Sequence, residues 1–166
     1  MKILAFTSGK GGVGKTTLAL NAARELSLHG LRTLIMDFDI HNRGATSLFM
    51  DKVSDSSPSV ASIARDGQGF RVELAAELAA QTEPVALDSK GMLFLIPAST
   101  PSEKLDWNWL LGQNEDIVAF FKSFITEIAS VHDFDAVVLD CYGGIDSLTV
   151  ASAGIADDII IVNEPD

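Results

Sequence analysis

A glycine-rich segment near the beginning of the chain has the residue types and spacing of a phosphate-binding loop. Residues 9–16 read G-K-G-G-V-G-K-T, which satisfies the pattern G-x-x-x-x-G-K-[ST]. Glycines let consecutive backbone N–H groups turn toward an anion, and a helix that begins at the loop adds positive potential. We therefore expect Lys15 to reach the β- and γ-phosphates of a nucleotide and the Thr16 hydroxyl to ligate Mg²⁺. The other loop residues predicted to bind the nucleotide are Gly11, Gly12, Val13 and Gly14.

A second group of candidates consists of acids that follow short apolar runs. Asp140 comes directly after Val137–Leu139, and the pair Asp37 and Asp39 comes after Leu34–Met36. A carboxylate at the carboxyl end of a strand beside a phosphate-binding loop is able to hold Mg²⁺ through water or to orient an attacking water. The alternative for the acids at positions 37 and 39 is that they face solvent at the end of a strand.

The elements that must position these residues are visible as an alternation of apolar runs and helical periodicity. This alternation is typical of an α/β fold with a parallel sheet. Strands are predicted at Lys2–Thr7, Thr33–Asp39, Met92–Pro97, Ala136–Asp140 and Asp158–Asn163. Helices are predicted at Thr16–His29, Val72–Ala80, Val118–Val131 and Ser147–Ile155. The phosphate-site candidates then lie at strand ends and at the start of the first helix.

The composition fits a single globular domain. The chain has 166 residues, which is a usual length for one domain, and 47% of them are hydrophobic. This apolar fraction excludes intrinsic disorder as the dominant state, and no apolar run is long enough to span a bilayer. Cys141 is the single cysteine, which excludes a disulfide framework within one chain, and we interpret it as a small buried residue. These observations predict a cytoplasmic protein.

The net charge of −11 is unevenly distributed along the chain. Residues 1–50 carry six Lys or Arg and three acids, whereas residues 51–166 carry six basic residues and twenty acids. The basic excess therefore coincides with the phosphate-binding pattern. Binding to nucleic acid independently of sequence needs clustered Lys and Arg, so DNA contact is not supported by this segment. Membrane contact is not supported either.

The segment from Lys10 to Thr17, K-G-G-V-G-K-T-T, resembles the deviant Walker A motif of the ParA/MinD family of ATPases. In that family the extra lysine crosses a dimer interface and touches the nucleotide of the partner subunit. The resemblance therefore implies that Lys10 is a catalytic residue that acts in trans, together with Lys15 in cis. It also implies that Thr17 contacts the α-phosphate and that Asn21 lies near the dimer face.

The resemblance extends to the two acid-bearing strands. Residues 34–39, L-I-M-D-F-D, resemble the second strand of the family, which implies that Asp39 positions the attacking water while Asp37 supports it and contributes to the magnesium shell. Val137–Asp140 resembles the Walker B strand, in which the acid holds magnesium. Two stretches depart from the family. Residues 40–47, I-H-N-R-G-A-T-S, are one residue longer than the common P-Q-G-N-A-T-S, and C-Y-G-G at 141–144 replaces x-P-P.

These features predict a P-loop NTPase fold in which a mainly parallel sheet is flanked by helices in a three-layer sandwich. Residues 1–166 are expected to form a single ATPase domain that lacks its C-terminal portion, because family members continue for many more residues. The resemblance implies a switch in which ATP and Mg²⁺ drive an ATP-dependent homodimer, recognised by a partner protein, that partitions or positions DNA or protein cargo. Two alternatives stay open: a nucleotide-binding regulatory or scaffold domain with little turnover, and a ligase or kinase that uses ATP on a small acceptor.

Overall fold

The computed structural model describes residues 1–66, 84–86, 92–103 and 117–164. These residues form one sheet of six strands: β1 (Lys2–Ser8), β2 (Arg32–Asp37), β3 (Pro84–Ala86), β4 (Met92–Ile96), β5 (Ala136–Gly143) and β6 (Asp158–Ile161). The strand order is β3-β4-β2-β5-β1-β6. All neighbouring pairs from β4 to β6 are parallel, and β3 joins β4 antiparallel at the edge. The mainly parallel sheet predicted from the sequence is confirmed.

Five helices connect these strands in the described part of the chain: α1 (Lys15–Leu28), α2 (Gly44–Leu48), α3 (Val60–Asp66), α4 (Ile117–His132) and α5 (Ser147–Ile155). The first helix ends at Leu28, one residue before the predicted His29, and Gly30 follows its C-cap in the left-handed conformation with φ 90°. The Gly30 N–H donates to the Ser27 carbonyl and the Leu31 N–H donates to the Leu26 carbonyl, which are the two bonds of a Schellman cap.

The apolar residues alternate between the two faces of the sheet and so build two cores. In β2, Leu34 and Met36 pack with α3, α4 and α5, whereas Ile35 packs with α1 on the opposite face. In β5, Val137 and Leu139 share the first core and Val138 lies in the second. Side chains alternate in this way because successive residues of a strand point to opposite faces. The result is the predicted three-layer sandwich of helices, sheet and helix.

Several predicted boundaries differ from the observed ones. The second strand ends at Asp37 instead of Asp39, because the chain turns and the Asp39 N–H donates to the Asp37 carboxylate at 3.0 Å. The short elements β3, α2 and α3 were not predicted. The predicted helix Val72–Ala80 lies outside the described residues. Within the described ranges, no helix has both the length and the apolar character needed to cross a membrane.

Candidate nucleotide-binding site

A pocket of about 310 Å³ lies at the carboxyl ends of β1 and β5, beside the start of α1. It brings together most of the residues predicted to bind phosphate, and it adds four that were not predicted to bind. The lining residues are Ser8, Gly11, Gly12, Gly14, Lys15, Thr16, Thr17, Asp39, Asn42, Gly44 and Gly143. The carboxyl edge of a parallel sheet is where ligands bind in open α/β folds, so the position agrees with the chemistry.

The loop between β1 and α1 has the conformation and the open space of an anion cradle. Gly12 and Gly14 take positive φ angles of 83° and 85°, which residues with a Cβ rarely adopt. A Cβ added at Gly11, Gly12 or Gly14 would meet nothing within 4 Å, so the space above the loop backbone is open. Gly14 is also the N-cap of α1 and supplies no side-chain cap, which leaves the first N–H groups of the helix available to an anion.

Lys15 forms a buried ion pair with Asp140. The lysine Nζ lies 2.6 Å from the Asp140 Oδ1, and the side chains are 6% and 0% exposed. Burial raises the pKa of Asp140 and the nearby Lys15 opposes this rise. The lysine predicted to bind phosphate is thus held by the acid predicted to hold magnesium.

The second oxygen of Asp140 tests whether these residues fit a magnesium ion. Asp140 Oδ2 is buried and has no hydrogen-bond partner within the described part of the chain. Leaving a buried carboxylate oxygen unpaired is costly, and a hydrated cation would satisfy it. The Thr16 hydroxyl lies 3.5 Å from Lys15 Nζ and therefore belongs to the same cluster. A hydroxyl and a carboxylate are the hard oxygen donors that Mg²⁺ prefers, so Thr16 and Asp140 fit the ion.

Asp37 has a different environment from the other two acids. Its Oδ2 accepts hydrogen bonds from the Thr46 N–H at 2.8 Å and the Thr46 hydroxyl at 2.7 Å, and its Oδ1 accepts one from the Asp39 N–H. Burial raises the pKa of Asp37 to about 7. Both oxygens therefore hold the chain that follows β2, and Asp37 is not among the residues that line the pocket. A role in the magnesium shell stays a prediction.

Asp39 lines the pocket, as its predicted role requires. The residue is 5% exposed, and its carboxylate is held by the neighbouring Asn42 through three hydrogen bonds. The side chain therefore does not face bulk solvent at a strand end, which was the alternative interpretation.

The segment from Ile40 to Ser47 lies across the phosphate-binding loop. Gly44 packs against Thr16 so closely that a Cβ on Gly44 would stand 3.0 Å from the Thr16 hydroxyl oxygen. Arg43 takes a left-handed conformation with φ 53°, and its guanidinium donates to the Ser99 hydroxyl at 3.2 Å. Although its sequence departs from the family pattern, this segment still reaches Thr16, the threonine predicted to ligate magnesium.

The end of β5 and the loop that leads to α5 contact the same segment. The His41 ring lies 4.7 Å from the Tyr142 ring, and its Nε2 lies 3.9 Å from Asp146 Oδ2. Asp146 also caps α5 by accepting from the Thr149 N–H at 2.7 Å. The two stretches that depart from the family pattern therefore touch each other.

Three residues singled out from the sequence lie apart from the pocket. Lys10 is exposed, and its Nζ forms an ion pair with Glu164 at 2.6 Å. Val13 packs against the core on the α1 face of the sheet, so it shapes the loop. Asn21 is exposed on α1 and donates to the Thr17 carbonyl at 2.8 Å.

Cys141 is buried, as predicted. Burial raises the pKa of its thiol to about 12, so the side chain is a packing group without thiolate character.

Sequence reasoning missed four lining residues. Ser8, Asn42, Gly44 and Gly143 carry no phosphate-binding pattern of their own. A usable signal existed for Asn42, because an amide three residues after a strand-end acid is placed to donate back to it. Gly44 and Gly143 are recognisable only from the packing of two loops that are distant in sequence.

The chain is similar to known proteins over nearly all of its length. A family model described as an AAA domain matches residues 1–166. The chromosome-partitioning ATPase Soj of Treponema pallidum is 28% identical over 160 residues, which cover 96% of this chain and 56% of Soj. An ATP complex of McdA from Cyanothece superposes with a TM-score of 0.69 at 23% identity, covering 98% of this chain and 56% of McdA. MinD of Pyrococcus horikoshii with Mg-ADP gives a TM-score of 0.65 at 20% identity, covering 99% and 58%.

The chain spans about half the length of the curated relatives it matches. The two structural likenesses are below 25% identity and show the shared fold alone. The family model carries the assignment, because it matches from the first residue to the last. This chain therefore belongs to the AAA-domain family and, within it, to the ParA/MinD proteins.

Proposed function

We propose that this chain is the nucleotide-binding region of an ATP-binding and ATP-hydrolysing switch of the ParA/MinD type. The observation that carries the proposal is one pocket lined by a glycine cradle, Lys15 and Asp39, with the buried Asp140 paired to Lys15. Phosphate binding, magnesium binding and water activation each need one of these groups. The relatives support the assignment, since Soj is a chromosome-partitioning ATPase and McdA was solved with ATP.

The residues of the pocket have distinct tasks when ATP enters. The loop N–H groups and the start of α1 bind the phosphates, with Thr17 toward the α-phosphate. Lys15 exchanges its contact with Asp140 for contacts with phosphate oxygens, because the phosphate groups carry more negative charge than one carboxylate. Magnesium, held by Thr16 and Asp140, would neutralise phosphate charge when bound. Asp140 would then hold the hydrated ion in place of its lysine partner, so that its buried charge would stay compensated.

Asp39 supplies the group for hydrolysis. Its carboxylate lies in the pocket and is nearly buried, so it is able to accept a hydrogen bond from an attacking water and to orient it. Asp37 fixes the preceding turn through its bonds to Thr46 and to the Asp39 N–H. The position of Asp39 therefore depends on the buried end of β2.

Lys10 is the residue that contacts the nucleotide of the second subunit in this proposal. It lies beside the pocket without lining it, and its side chain is 64% exposed, so a second copy is able to receive it. The ATP state would then be an ATP-dependent homodimer recognised by a partner protein, and hydrolysis would release it. The cargo we propose is DNA or a protein assembly that is partitioned or positioned; the acidic charge of these 166 residues does not support DNA contact through this segment.

The test is the mass of the protein by light scattering, with ATP–Mg²⁺ or with ADP, on the Asp39→Ala variant to slow turnover. We expect the mass to double with ATP–Mg²⁺ and not with ADP. The variant that carries both Asp39→Ala and Lys10→Ala is expected to keep the mass of a monomer. Lys122→Ala is the matched control, because Lys122 is an exposed lysine on α4. Hydrolysis is measured in parallel on the protein with Asp39 intact.

One observation favours a second candidate, a nucleotide-binding scaffold with little turnover. C-Y-G-G at 141–144 replaces the x-P-P of the family, and this stretch would sense the γ-phosphate. Tight ATP binding without doubling of mass and without phosphate release would establish the scaffold and reject the switch. Release of phosphate that is abolished by Asp39→Ala would reject the scaffold.

A further inference from the structure

Asn42 holds both oxygens of the Asp39 carboxylate. Its side-chain Nδ2 lies 3.1 Å from Asp39 Oδ1 and 3.1 Å from Oδ2, and its backbone N–H donates to Oδ1 at 2.9 Å. Asn42 also lines the pocket. In the family pattern P-Q-G-N-A-T-S the asparagine is the fourth residue after the second acid, whereas Asn42 is the third, so this contact belongs to the divergent segment of this chain.

The three bonds leave the two oxygens of Asp39 unequal. A carboxylate oxygen has two acceptor positions, and Oδ1 has both of them filled by Asn42. Oδ2 receives only the Nδ2 bond from Asn42 and so keeps one position for another donor. A carboxylate that is held at both oxygens is not able to rotate about its Cβ–Cγ bond without breaking a bond. The amide therefore selects which oxygen is presented to a water molecule.

The backbone around Asn42 is fixed independently of its side chain. The Arg43 N–H donates to the Asp39 carbonyl at 2.7 Å, and the Arg43 carbonyl accepts from the Ser47 N–H at 2.9 Å. Neither bond involves the Asn42 side chain, so we expect both to persist when that side chain is changed. A variant of Asn42 thus alters the carboxylate contact while it keeps the path of the loop.

We infer that Asn42 is a positioning residue for hydrolysis, which sets the rotation of the Asp39 carboxylate so that Oδ2 accepts the attacking water. The inference rests on the proposed function, because the orientation of Asp39 matters only if ATP is hydrolysed. Asn42 does not itself take the proton. It acts through Asp39, and hydrogen bonds to a charged group are the stronger kind, which suits them to this task.

The test compares ATP affinity with the single-turnover rate of hydrolysis at saturating ATP, in the full-length protein. We expect Asn42→Ala to lower the single-turnover rate by about ten- to a hundredfold, the scale of a misplaced catalytic group, and to change the ATP Kd by less than about threefold. Asn42→Asp keeps the shape but replaces the donor amide with an acceptor, so it is expected to lower the rate at least as far. Asn42→Gln keeps the amide and is expected to recover part of the rate.

Ser47→Asp is the matched control for charge. It adds one negative charge on the exposed face of α2 and has no bond to Asp39. The Arg43 carbonyl loses the Ser47 hydroxyl but keeps the Ser47 N–H, so we expect the rate to stay near that of the wild type. Urea unfolding establishes that each variant is folded. If Asn42→Ala does not fold, Asn42→Asp carries the comparison, because it has the shape of the native side chain.

The outcomes separate this inference from the proposed function. A wild-type protein that binds ATP and releases no phosphate overturns both. A wild-type protein that hydrolyses ATP, with Asn42→Ala and Asn42→Asp hydrolysing it equally fast, overturns the role of Asn42 alone. A loss of ATP affinity with an unchanged rate at saturation overturns it as well, since Asn42 would then serve binding.

Discussion

Gly143 lies against Gly11 so closely that no side chain fits between them. A Cβ built on Gly143 would stand 2.9 Å from the Cα and from the N of Gly11, and 3.0 Å from the carbonyl carbon of Lys10. These are backbone atoms, which are not able to swing aside as a flexible side chain would. The end of β5 therefore fixes the position of the glycine-rich loop relative to the sheet. Because C-Y-G-G stands in place of x-P-P, the residue at the point of contact is a glycine.

Gly143→Ala is expected to displace the phosphate-binding loop and to weaken ATP binding by about tenfold or more, equivalent to about 1.4 kcal/mol. We also expect the free energy of unfolding to fall by about 1–3 kcal/mol, as for overpacking in a close-packed interior. Titration with a fluorescent ATP analogue and urea unfolding measure the two effects. Gly154→Ala is the control, because its Cβ would meet only the Val118 side chain, at 3.1 Å. Wild-type affinity in Gly143→Ala would contradict the prediction.

The parts of the site that could be predicted are those that a local sequence pattern defines. The glycine loop, Lys15 and Thr16 follow from local spacing between a strand and a helix, and Asp140 follows from an apolar run that ends in an acid. Parallel strands then bring their carboxyl ends to one edge, which places Asp140 near Lys15 across 125 positions of sequence.

The parts that could not be predicted depend on how two loops pack. The contacts of Gly143 with Gly11 and of His41 with Tyr142 join the end of β5 to two loops, and no local sequence pattern relates these segments. The short helix α2 was missed because its N-cap is Arg43 in a left-handed conformation without a side-chain cap, so the usual Ser, Thr, Asp or Asn signal is absent. The strand β3 has three residues, too few to show a period.

Removing Lys15 is expected to destabilise the protein without nucleotide. Lys15→Met leaves Asp140 buried without its partner, and breaking one side of a buried pair costs about 3–5 kcal/mol in free energy of unfolding. Adding Asp140→Asn removes the orphaned charge, so the double variant is expected to recover most of that loss. Urea unfolding of the wild type, both single variants and the double variant gives the coupling energy. Additive effects of the two changes would contradict a direct pair at 2.6 Å.

Stability is expected to fall as the pH rises through the range where Asp37 ionises. In the unfolded chain its pKa is near the ordinary 3.8, whereas burial raises the pKa to about 7 in the folded protein. The folded state therefore binds the extra proton, and the contribution of Asp37 is complete below about pH 4 and is lost as the pH approaches 7. The expected loss is about 4 kcal/mol over this range.

The check on Asp37 is urea unfolding between pH 4 and pH 8. Asp37→Asn is expected to flatten this part of the profile, because the amide does not titrate. Asp51→Asn is the matched control, since the Asp51 side chain is 76% exposed. An equal slope in the wild type and in Asp37→Asn would show that Asp37 is ionised in the folded protein at every pH tested.

Thr46 links the turn after β2 to the end of β4, and its hydroxyl is expected to stabilise both. The hydroxyl donates to Asp37 Oδ2 at 2.7 Å and accepts from the Ala98 N–H at 2.8 Å, and the side chain is buried. Thr46→Val keeps the shape and leaves the Ala98 N–H without this acceptor, which costs about 1–3 kcal/mol for a buried group. Thr46→Ser keeps the hydroxyl and loses only a methyl, so we expect it to retain more of the stability.

Loss of the donor to Asp37 also raises the pKa of that acid further in Thr46→Val, because the bond favours its charged form. The decline of stability with pH would then extend to higher pH in the valine variant than in the serine variant. If both variants unfold at the same urea concentration at every pH, the hydroxyl does not join the two segments.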